Sequence, residues 1–385
     1  MTIFVISVIY KLIKLQKLGL GFQQYNVIDY IYKSEKKKKH INRDEKGGAY
    51  LSTIEEVAQE SGVSVATVSR VINRNGKVSA ITRQKVLAAI AKLNYHPNTW
   101  GRSLRKGQSR ILLILVPNIT NPYYSPIIQG IQDIARHNRY QTMLCITDGI
   151  QIHTNSYFEL LHNGNADGVI LMDVKKDDPE VSELAKGFPI VQCCEYCSDE
   201  SVGHVSIDNL KAAYDMTHFL CSVGHRKIGL IGAANSFIST RQRRMGYEKA
   251  LSEEGIAVEQ RYITSAAGDY NFSSGVQAAR TLLSLPDRPT ALFCISDVIA
   301  LGALRAAKEM GLRVPEDLSV AGFDDVEYAT MFRPMLTTVS QPCYQLGKTS
   351  CELLLEQLGG LPPRAVFLEH KIVLRDSSAG LPKNS

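Results

Sequence analysis

The sequence predicts two architectures in one chain: an all-α head of three short helices and an α/β body built on two doubly wound parallel sheets. Three observations carry this. At 385 residues the chain exceeds one ordinary core, so two or three domains are expected. Charge is unevenly placed: residues 51–110 hold ten Lys/Arg against three Asp/Glu, whereas residues 111–385 hold twenty-four against thirty-one. The apolar periodicity also changes after Ser109, from short helical runs to strands alternating with helices.

Residues 1–50 stand apart from the fold. The nine apolar-rich residues after Met1 are broken by Lys11, Lys14 and Lys17, a run too short to span a bilayer. No positive region precedes the run and no small-residue cleavage site follows, so it reads poorly as a signal peptide. Lys46-Gly47-Gly48 can be encoded by AAAGGAGGN, which contains a bacterial ribosome-binding sequence. Residues 1–50 are therefore expected to be untranslated leader or a disordered extension, with translation starting at Leu51. Any codon for Leu51 other than TTG or CTG excludes that start.

The head is expected over 51–97. Ser52 or Thr53, followed three residues later by Glu55 or Glu56, signals a capped helix carrying Ile54, Val57 and Ala58. Gly62 breaks it, Val63 plugs the corner and Ser64 caps a second helix over 65–72. Val65, Val68 and Ile72 are its apolar residues, spaced three and four apart. A third helix runs from about Thr82 to Leu93, with Val86, Ile90 and Leu93 on one face. Two short helices about a glycine turn, braced by a third, form a helix-turn-helix unit.

The open face of the second helix has a composition suited to a DNA groove. Val65 and Ala66 are slim and offer apolar contacts such as thymine methyls. Thr67, Ser69 and Asn73 suit phosphates, and Arg70 suits a base edge or a phosphate. A compact basic segment beside an acidic body is also the electrostatic footprint of a nucleic-acid-binding module. Double-stranded DNA is the expected partner.

The stretch "TIEEVAQESGVSVATVSRVINRNGKVSAITRQKVLAAIAKLNYHPNTWGRSL" resembles the DNA-binding head of the LacI/GalR family of bacterial transcriptional regulators. The match runs without a gap from about Thr53 to Leu104 and continues more loosely to the end of the chain. The resemblance implies that Val65 and Ala66 are the principal specificity positions and that Arg70 contacts the operator. It implies a DNA-contacting set of Ser64, Val65, Ala66, Thr67, Ser69, Arg70, Asn73, Tyr95, Asn98 and Leu104. It also implies that 98–109 is a hinge that forms a helix on DNA and inserts Leu104 into the minor groove. Trp100 departs from the small residue usual in the family's hinge.

In the body, 110–380, "RILLILVPN" reads as a buried parallel strand. The alternation continues through a helix at 124–137, strand "YQTMLCI", a helix at 154–163, and strands "DGVILM", "FPIVQC" and "GHVSI". A second alternation follows: helix 209–223, "RKIGLIG", helix 240–254, a strand near 262–265, helix 271–284, "TALFCI", helix 297–310 and "LSVAGF". The resemblance sharpens these two sets into the two-lobed fold of periplasmic sugar-binding proteins, with crossings near 208, 340 and 360. Lobe 1 is then expected over about 110–208 and 341–360, and lobe 2 over about 209–340 and 361–376.

Ligands of such sheets bind outside the carboxyl ends of the strands, here in the cleft between lobes. Asn121, Tyr123 and Tyr124 follow the first strand, and Asp148, Asp208, Asp297, Asp324 and Asp325 stand at other strand ends. Carboxylates with Arg243 and aromatic rings suit a polyhydroxylated small molecule. The family positions matching Tyr124, Arg243, Tyr270, Asp297 and Asp324 line or support an effector site. The expected effector set is thus Asn121, Tyr123, Tyr124, Asp148, Arg243, Tyr270, Asp297 and Asp324, while Asp208 and Asp325 are expected to serve as a loop cap or an interlobe salt bridge.

Enzymatic readings fare poorly. "GLIGAAN" is not a dinucleotide-binding G-x-G-x-x-G, no Walker lysine appears, and His204, His218 and His225 fall in different elements. No catalytic residues, metal or cofactor are expected. The eight cysteines, including "CCEYC" at 193–197, read as reduced thiols. "SDVIALGAL", "GLRVPEDLS" and "LTTVSQPCYQLG" are similar to the cytidine-repressor branch, and sugar-responsive relatives share much of this text.

The expected function is an effector-controlled, sequence-specific transcriptional regulator, a repressor in the cytoplasm that associates with the nucleoid. Its partners are a pseudo-palindromic operator, a sugar or nucleoside effector, and a second copy of the chain, with no membrane role. A dimer is favoured over a tetramer, because the tail lacks leucine heptads. The alternative is a periplasmic-type small-molecule receptor without a DNA role.

Overall fold

The computed structural model describes residues 52–73, 75–95, 108–175 and 178–380. The chain forms two compact units that divide at residues 99/100.

In the first unit, α1 spans Ile54–Ser61, α2 Val65–Asn73 and α3 Ala80–Lys92. The Thr53 hydroxyl accepts from Glu56 N at 3.3 Å while the Glu56 carboxylate accepts from Thr53 N at 2.9 Å, a complete capping box. Gly62 ends α1 at φ 67°, in the left-handed region where glycine has no steric cost. Ser64 Oγ then accepts from Thr67 N at 3.3 Å and starts α2. Ser79 Oγ does the same for α3 from Thr82 N, two residues earlier than the apolar spacing suggests. Val57, Val68, Val71, Val86 and Ala89 form the centre of the core. Each fully buried valine contributes about 1.5–3 kcal/mol of transfer free energy.

The phase of α2 differs from expectation. Val71 is buried beside Val68, whereas Val65 is 39% exposed and Ile72 only half buried. Residues 68 and 71 are three apart, so they share a face as well as 65, 68 and 72 do. Packing against α1 and α3 selects the former pair and turns Val65 outward.

The second unit holds two six-stranded sheets. In the first lobe, the chain forms β1 (Ile111–Val116), α4 (Tyr124–His137), β2 (Gln141–Ile146), α5 (Gln151–His162), β3 (Gly168–Leu171), α6 (Pro179–Ala185), β4 (Ile190–Cys193) and β5 (Gly203–Ile207). In the second it forms α7 (Asn209–Ser222), β6 (Ile228–Ala233), α8 (Ile238–Glu253), β7 (Ile263–Ala266), α9 (Phe272–Leu283), β8 (Ala291–Cys294), α10 (Asp297–Glu309), β9 (Ser319–Asp324), α11 (Tyr328–Met331) and β10 (Thr337–Ser340). The chain then returns to the first lobe with α12 (Cys343–Leu358) and β11 (Ala365–Leu368), and ends the second sheet with β12 (Lys371–Val373).

The strand orders are β11-β5-β4-β3-β1-β2 and β12-β10-β9-β8-β6-β7. All pairings are parallel except that β12 runs antiparallel to β10. The order reverses between β1 and β3 in one sheet and between β6 and β8 in the other, so each sheet opens its crevice there. The third crossing lies at residues 369–370, after β11, rather than near 360 as the sequence suggests. β11 is a four-residue edge strand of alternately exposed and half-buried residues, so its apolar pattern does not announce which sheet it joins.

Helix pairs pack through glycines. A Cβ on Gly347 of α12 would overlap the Ile127 carbonyl oxygen of α4, and one on Gly246 of α8 would overlap the Leu210 carbonyl oxygen of α7. Among the described residues no helix is long and apolar enough to cross a membrane, and the eight cysteines are free thiols. Gly347→Ala is expected to lose roughly 1–3 kcal/mol of stability by forcing α4 and α12 apart. Gly187→Ala, where the nearest atom to an added Cβ is 4.0 Å away, serves as the near-neutral control in the same denaturant titration.

Candidate functional site

In the first unit, α2 presents Ser64, Val65, Ala66 and Arg70 to solvent. Among the described residues no acceptor holds the Arg70 guanidinium, which leaves its five N–H donors for an outside partner. Ser64 and Thr67 share a hydroxyl contact at 3.0 Å, so both are pre-positioned at the start of the helix. Asn73 is partly committed: its amide donates to Ser69 O at 2.8 Å and Ser69 Oγ at 3.2 Å.

Tyr95, of the expected DNA-contacting set, is 8% exposed and packs in the core of the head, where its ring braces the helices. Asn98 and Leu104, with the rest of the expected hinge through residue 107, lie outside the described residues.

In the second unit, the strand ends build a cleft with two chambers. The inner chamber is centred on Arg243, which projects from α8 and is 6% exposed. Its Nε donates to Asn209 Oδ1 at 2.9 Å and its Nη1 to Ile295 O at 2.6 Å. Its guanidinium lies 3.7 Å from the centre of the Phe323 ring, and Nη1 stands 3.7 Å from Asp324 Oδ1. Gln341 continues the chain: its amide nitrogen donates to Asp324 Oδ1 at 2.8 Å, and its oxygen accepts from Tyr123 OH at 3.2 Å. Burial pushes the Asp324 carboxyl up to about 6, against the pull of the Arg243 charge.

Glu195, just after β4, closes this chamber from the first lobe. Its carboxylate accepts from the Ser239 hydroxyl, and from Ser239 N at 3.2 Å, in the first turn of α8. Gln242 donates from the same helix to Tyr196 OH at 3.0 Å. These contacts join the two lobes. Burial pushes the Glu195 carboxyl up to about 7, while Ser239 and Arg243 oppose the shift.

The inner chamber, lined by Asn121, Tyr123, Arg243 and Asp324 among others, encloses only about 20 Å³. That is room for about one water molecule. The outer chamber is about 490 Å³, a size suited to a small organic molecule. Asp148, Asp173 and Asp269 line it together with Asn118, Asn235 and the ring of Phe237. Tyr124 and Tyr270 border both chambers, and Tyr270 OH bonds Thr240 Oγ1 at 2.8 Å.

The expected effector residues therefore divide. Asn121, Tyr123, Tyr124, Arg243, Tyr270 and Asp324 meet at the inner chamber, and Asp148 joins the outer one. Asp297 reaches neither. It is fully buried at the start of α10, where it accepts from Thr338 Oγ1 at 2.6 Å and Val326 N at 2.9 Å. It braces β10 and the turn after β9, so it supports the cleft from beneath rather than lining it. Asp208 caps α7 through Lys211 N at 2.8 Å, and Asp325 pairs with Arg375 at 2.6 Å.

Sequence reading passed over Glu195, Ser239, Gln341 and Asp173. The signal available for Glu195 was its position at a strand end, hidden among the cysteines of "CCEYC". Among the described residues no group of His, Cys, Asp or Glu side chains could hold a metal ion.

A sequence profile of bacterial regulatory proteins of the lacI family matches residues 53–98, and one of periplasmic binding protein-like domains matches 217–378. The chain is 37% identical over 336 residues to the HTH-type transcriptional repressor CytR of Escherichia coli (strain K12), covering 86% of this chain and 97% of that one. It is 36% identical over 333 residues to catabolite control protein A of Priestia megaterium, covering 85% and 99%. Among solved structures, the lac repressor dimer bound to operator and the anti-inducer ONPF superimposes with a TM-score of 0.75 at 29% identity, covering 86% of this chain and all of that one. A complex of the transcriptional regulator CelR with cellobiose gives 0.64 at 31% identity, covering 85% and 99%.

Glu195 predicts a pH signature. Its carboxyl titrates near 7 when folded and near 4.5 when unfolded, so the folded state binds the extra proton. Wild-type stability is accordingly expected to fall as pH rises from about 4.5 to 7 and then level off, to the extent of about 1–3 kcal/mol from this group. Glu195→Gln removes that component, measured as a flatter midpoint-against-pH curve in thermal unfolding.

Proposed function

The chain belongs to the lacI family of bacterial regulatory proteins, and from that premise we propose a dimeric repressor whose grip on its operator is set by a sugar or nucleoside in the outer chamber. The observation that carries this reading is the union, in one chain, of an exposed groove-reading helix and a two-lobed body with an acidic, aromatic cleft. The head is taken as 51–97 and the hinge as 98–109.

DNA reading rests on α2. Val65 and Ala66 offer small apolar surfaces to base edges, and Arg70 supplies the forked donor that guanine O6 and N7 accept. Ser64, Thr67 and Ser69 lie near the helix start, where hydroxyls and the helix dipole favour phosphates. Two copies present two such helices to a pseudo-palindromic site.

Effector binding rests on the outer chamber. Carboxylates of Asp148, Asp173 and Asp269 accept from ligand hydroxyls or amines, and Tyr124, Phe237 and Tyr270 offer ring faces to apolar faces of the ligand. Arg243 and Asp324 lie beyond, in the inner chamber, and tie the bound state to the lobe geometry. A ligand that prefers one lobe arrangement shifts the population toward it, and the coupling reaches DNA through the linker.

The dimer reading is supported by a further cavity of about 630 Å³, lined mostly by lobe 2 with Thr120 and Pro122 of lobe 1, where Phe272, Tyr328 and Phe332 leave apolar surface open. Apolar surface of this extent fits a second copy of the chain. Such a protein acts in the cytoplasm, on the nucleoid. A transport receptor would account for the body and leave the basic head without a task.

Two substitutions separate the two activities. Arg70→Ala is expected to cost roughly 1–3 kcal/mol per half-site and to reduce discrimination between operator and random duplex in fluorescence anisotropy. Arg243→Ala is expected to abolish the response to effector and to lower the thermal stability of the body, because Asn209, the Ile295 carbonyl and Asp324 lose their donor, while the protein that remains folded keeps its operator affinity. An Arg243→Ala protein that still responds removes Arg243 from the signalling path.

A further inference from the structure

Asp167 stands at the amino end of β3, on the side of the sheet opposite the effector cleft, and its carboxylate is spent on the residues where the linker enters the body. Asp167 Oδ1 accepts from Ser109 N at 2.6 Å and from Ser109 Oγ at 2.8 Å, and Oδ2 accepts from Arg110 N at 2.9 Å. Ser109 Oγ in turn accepts from Ile111 N at 3.1 Å, and Asp167 N donates to Ile111 O at 2.8 Å. Arg110 holds φ 61°, a left-handed conformation that a residue with a Cβ keeps only where its surroundings fix it. Its guanidinium lies 4.9 Å from the centre of the Tyr140 ring.

This clamp sits at the base of two strands whose tips form the effector cleft. β1 and β3 are hydrogen-bonded neighbours, in register from Leu112↔Gly168 to Leu115↔Leu171. At their carboxyl ends they deliver Pro117, Asn118, Asp173 and Lys175 to the outer chamber. Six residues of strand span about 20 Å, and β1 and β3 are buried almost throughout, so they move as a stiff plate. A rotation of lobe 1 at the cleft therefore becomes a displacement of Asp167 at the opposite end.

We propose that Asp167 is the positioning residue that fixes the linker to this plate, so that a lobe movement at the cleft is passed to the DNA-binding head through Ser109 and Arg110. The inference rests on the reading of the cleft as an effector site and of the head as a DNA reader. Asp167 touches neither ligand. Its contribution is to remove slack from the connection, because a linker free at residue 109 would let the lobe move without moving the head.

The test uses the full chain and a duplex selected by the wild-type protein from a random library. Operator affinity is measured with and without cytidine, adenosine, ribose and cellobiose, and the affinity of each for the protein is measured by calorimetry. For a ligand that changes wild-type operator affinity tenfold, Asp167→Asn is expected to bind that ligand within twofold of wild type and to show less than a threefold change on DNA. Ser109→Ala removes the hydroxyl's two contacts, to Asp167 and from Ile111 N, keeps the backbone bonds to Asp167, and is expected to give an intermediate response even where Asp167→Asn fails to fold. An Asp167→Asn or Ser109→Ala protein that keeps the full response overturns the proposal. A loss of ligand affinity in step with the loss of response also overturns it, because that marks a merely structural role. Failure of the wild-type protein to respond to any of the four probes counts against the cleft reading itself, and the proposal falls with it.

Discussion

The guanidinium of Arg243 is the interaction on which the body depends. A cation this deeply buried persists only when its donors are met and its charge is countered. Here Asn209, the Ile295 carbonyl, Asp324 and the Phe323 ring do so together. Asn209 opens the first helix after the chain leaves lobe 1, and Gln341, bonded to Asp324, lies where the chain returns. One side chain therefore joins two crossings to the tips of β8 and β9. Removing one partner would leave the others with unmet polar groups in a site with space for about one water.

The cleft follows from the sheets. Each places its switch point toward the other lobe, so loops from β1, β3, β6 and their neighbours converge without any loop needing to be long. The convergence gathers more acid than base. Asp148, Asp173 and Asp269 face the outer chamber with Lys175 as the cation among its lining residues, while Arg243 is already countered by Asp324. A ligand rich in hydrogen-bond donors is complementary to such a wall. Burial also raises the Asp173 carboxyl above the ordinary carboxylate range, against the hydrogen bond from Thr147 and the charge of Lys175.

Local signals in the sequence were legible because they are short-range. The Thr53–Glu56 box, the Gly62 turn and the Ser64 cap are decided within four residues, and the structure has each of them. Strand and helix order in the body was legible for the same reason, since each apolar run reports its own burial. What was not legible depended on partners distant in sequence. Val65 and Val71 both fit a helical face through Val68, and only the positions of α1 and α3 decide between them. Asp297 and Glu195 both follow strands, yet one turns beneath the sheet to Thr338 and the other reaches across to Ser239. The sheet joined by Ala365–Leu368 was hidden because four apolar residues, alternately exposed and half buried, fit the edge of either sheet equally well.

The division of labour on α2 has a consequence for how such proteins diverge. Val68 and Val71 fasten the helix, and the open face carries nothing the core needs. Changes at positions 65, 66 and 70 are therefore nearly uncoupled from folding, as sites without shared partners tend to be. Where α2 reads DNA as proposed, a duplicated gene could drift to a new binding site through these three side chains while the rest of the head stayed under its old constraints. Retargeting is mechanically cheap here, and the cleft, whose polar groups are bonded to one another across both lobes, is the part that must change several residues at once.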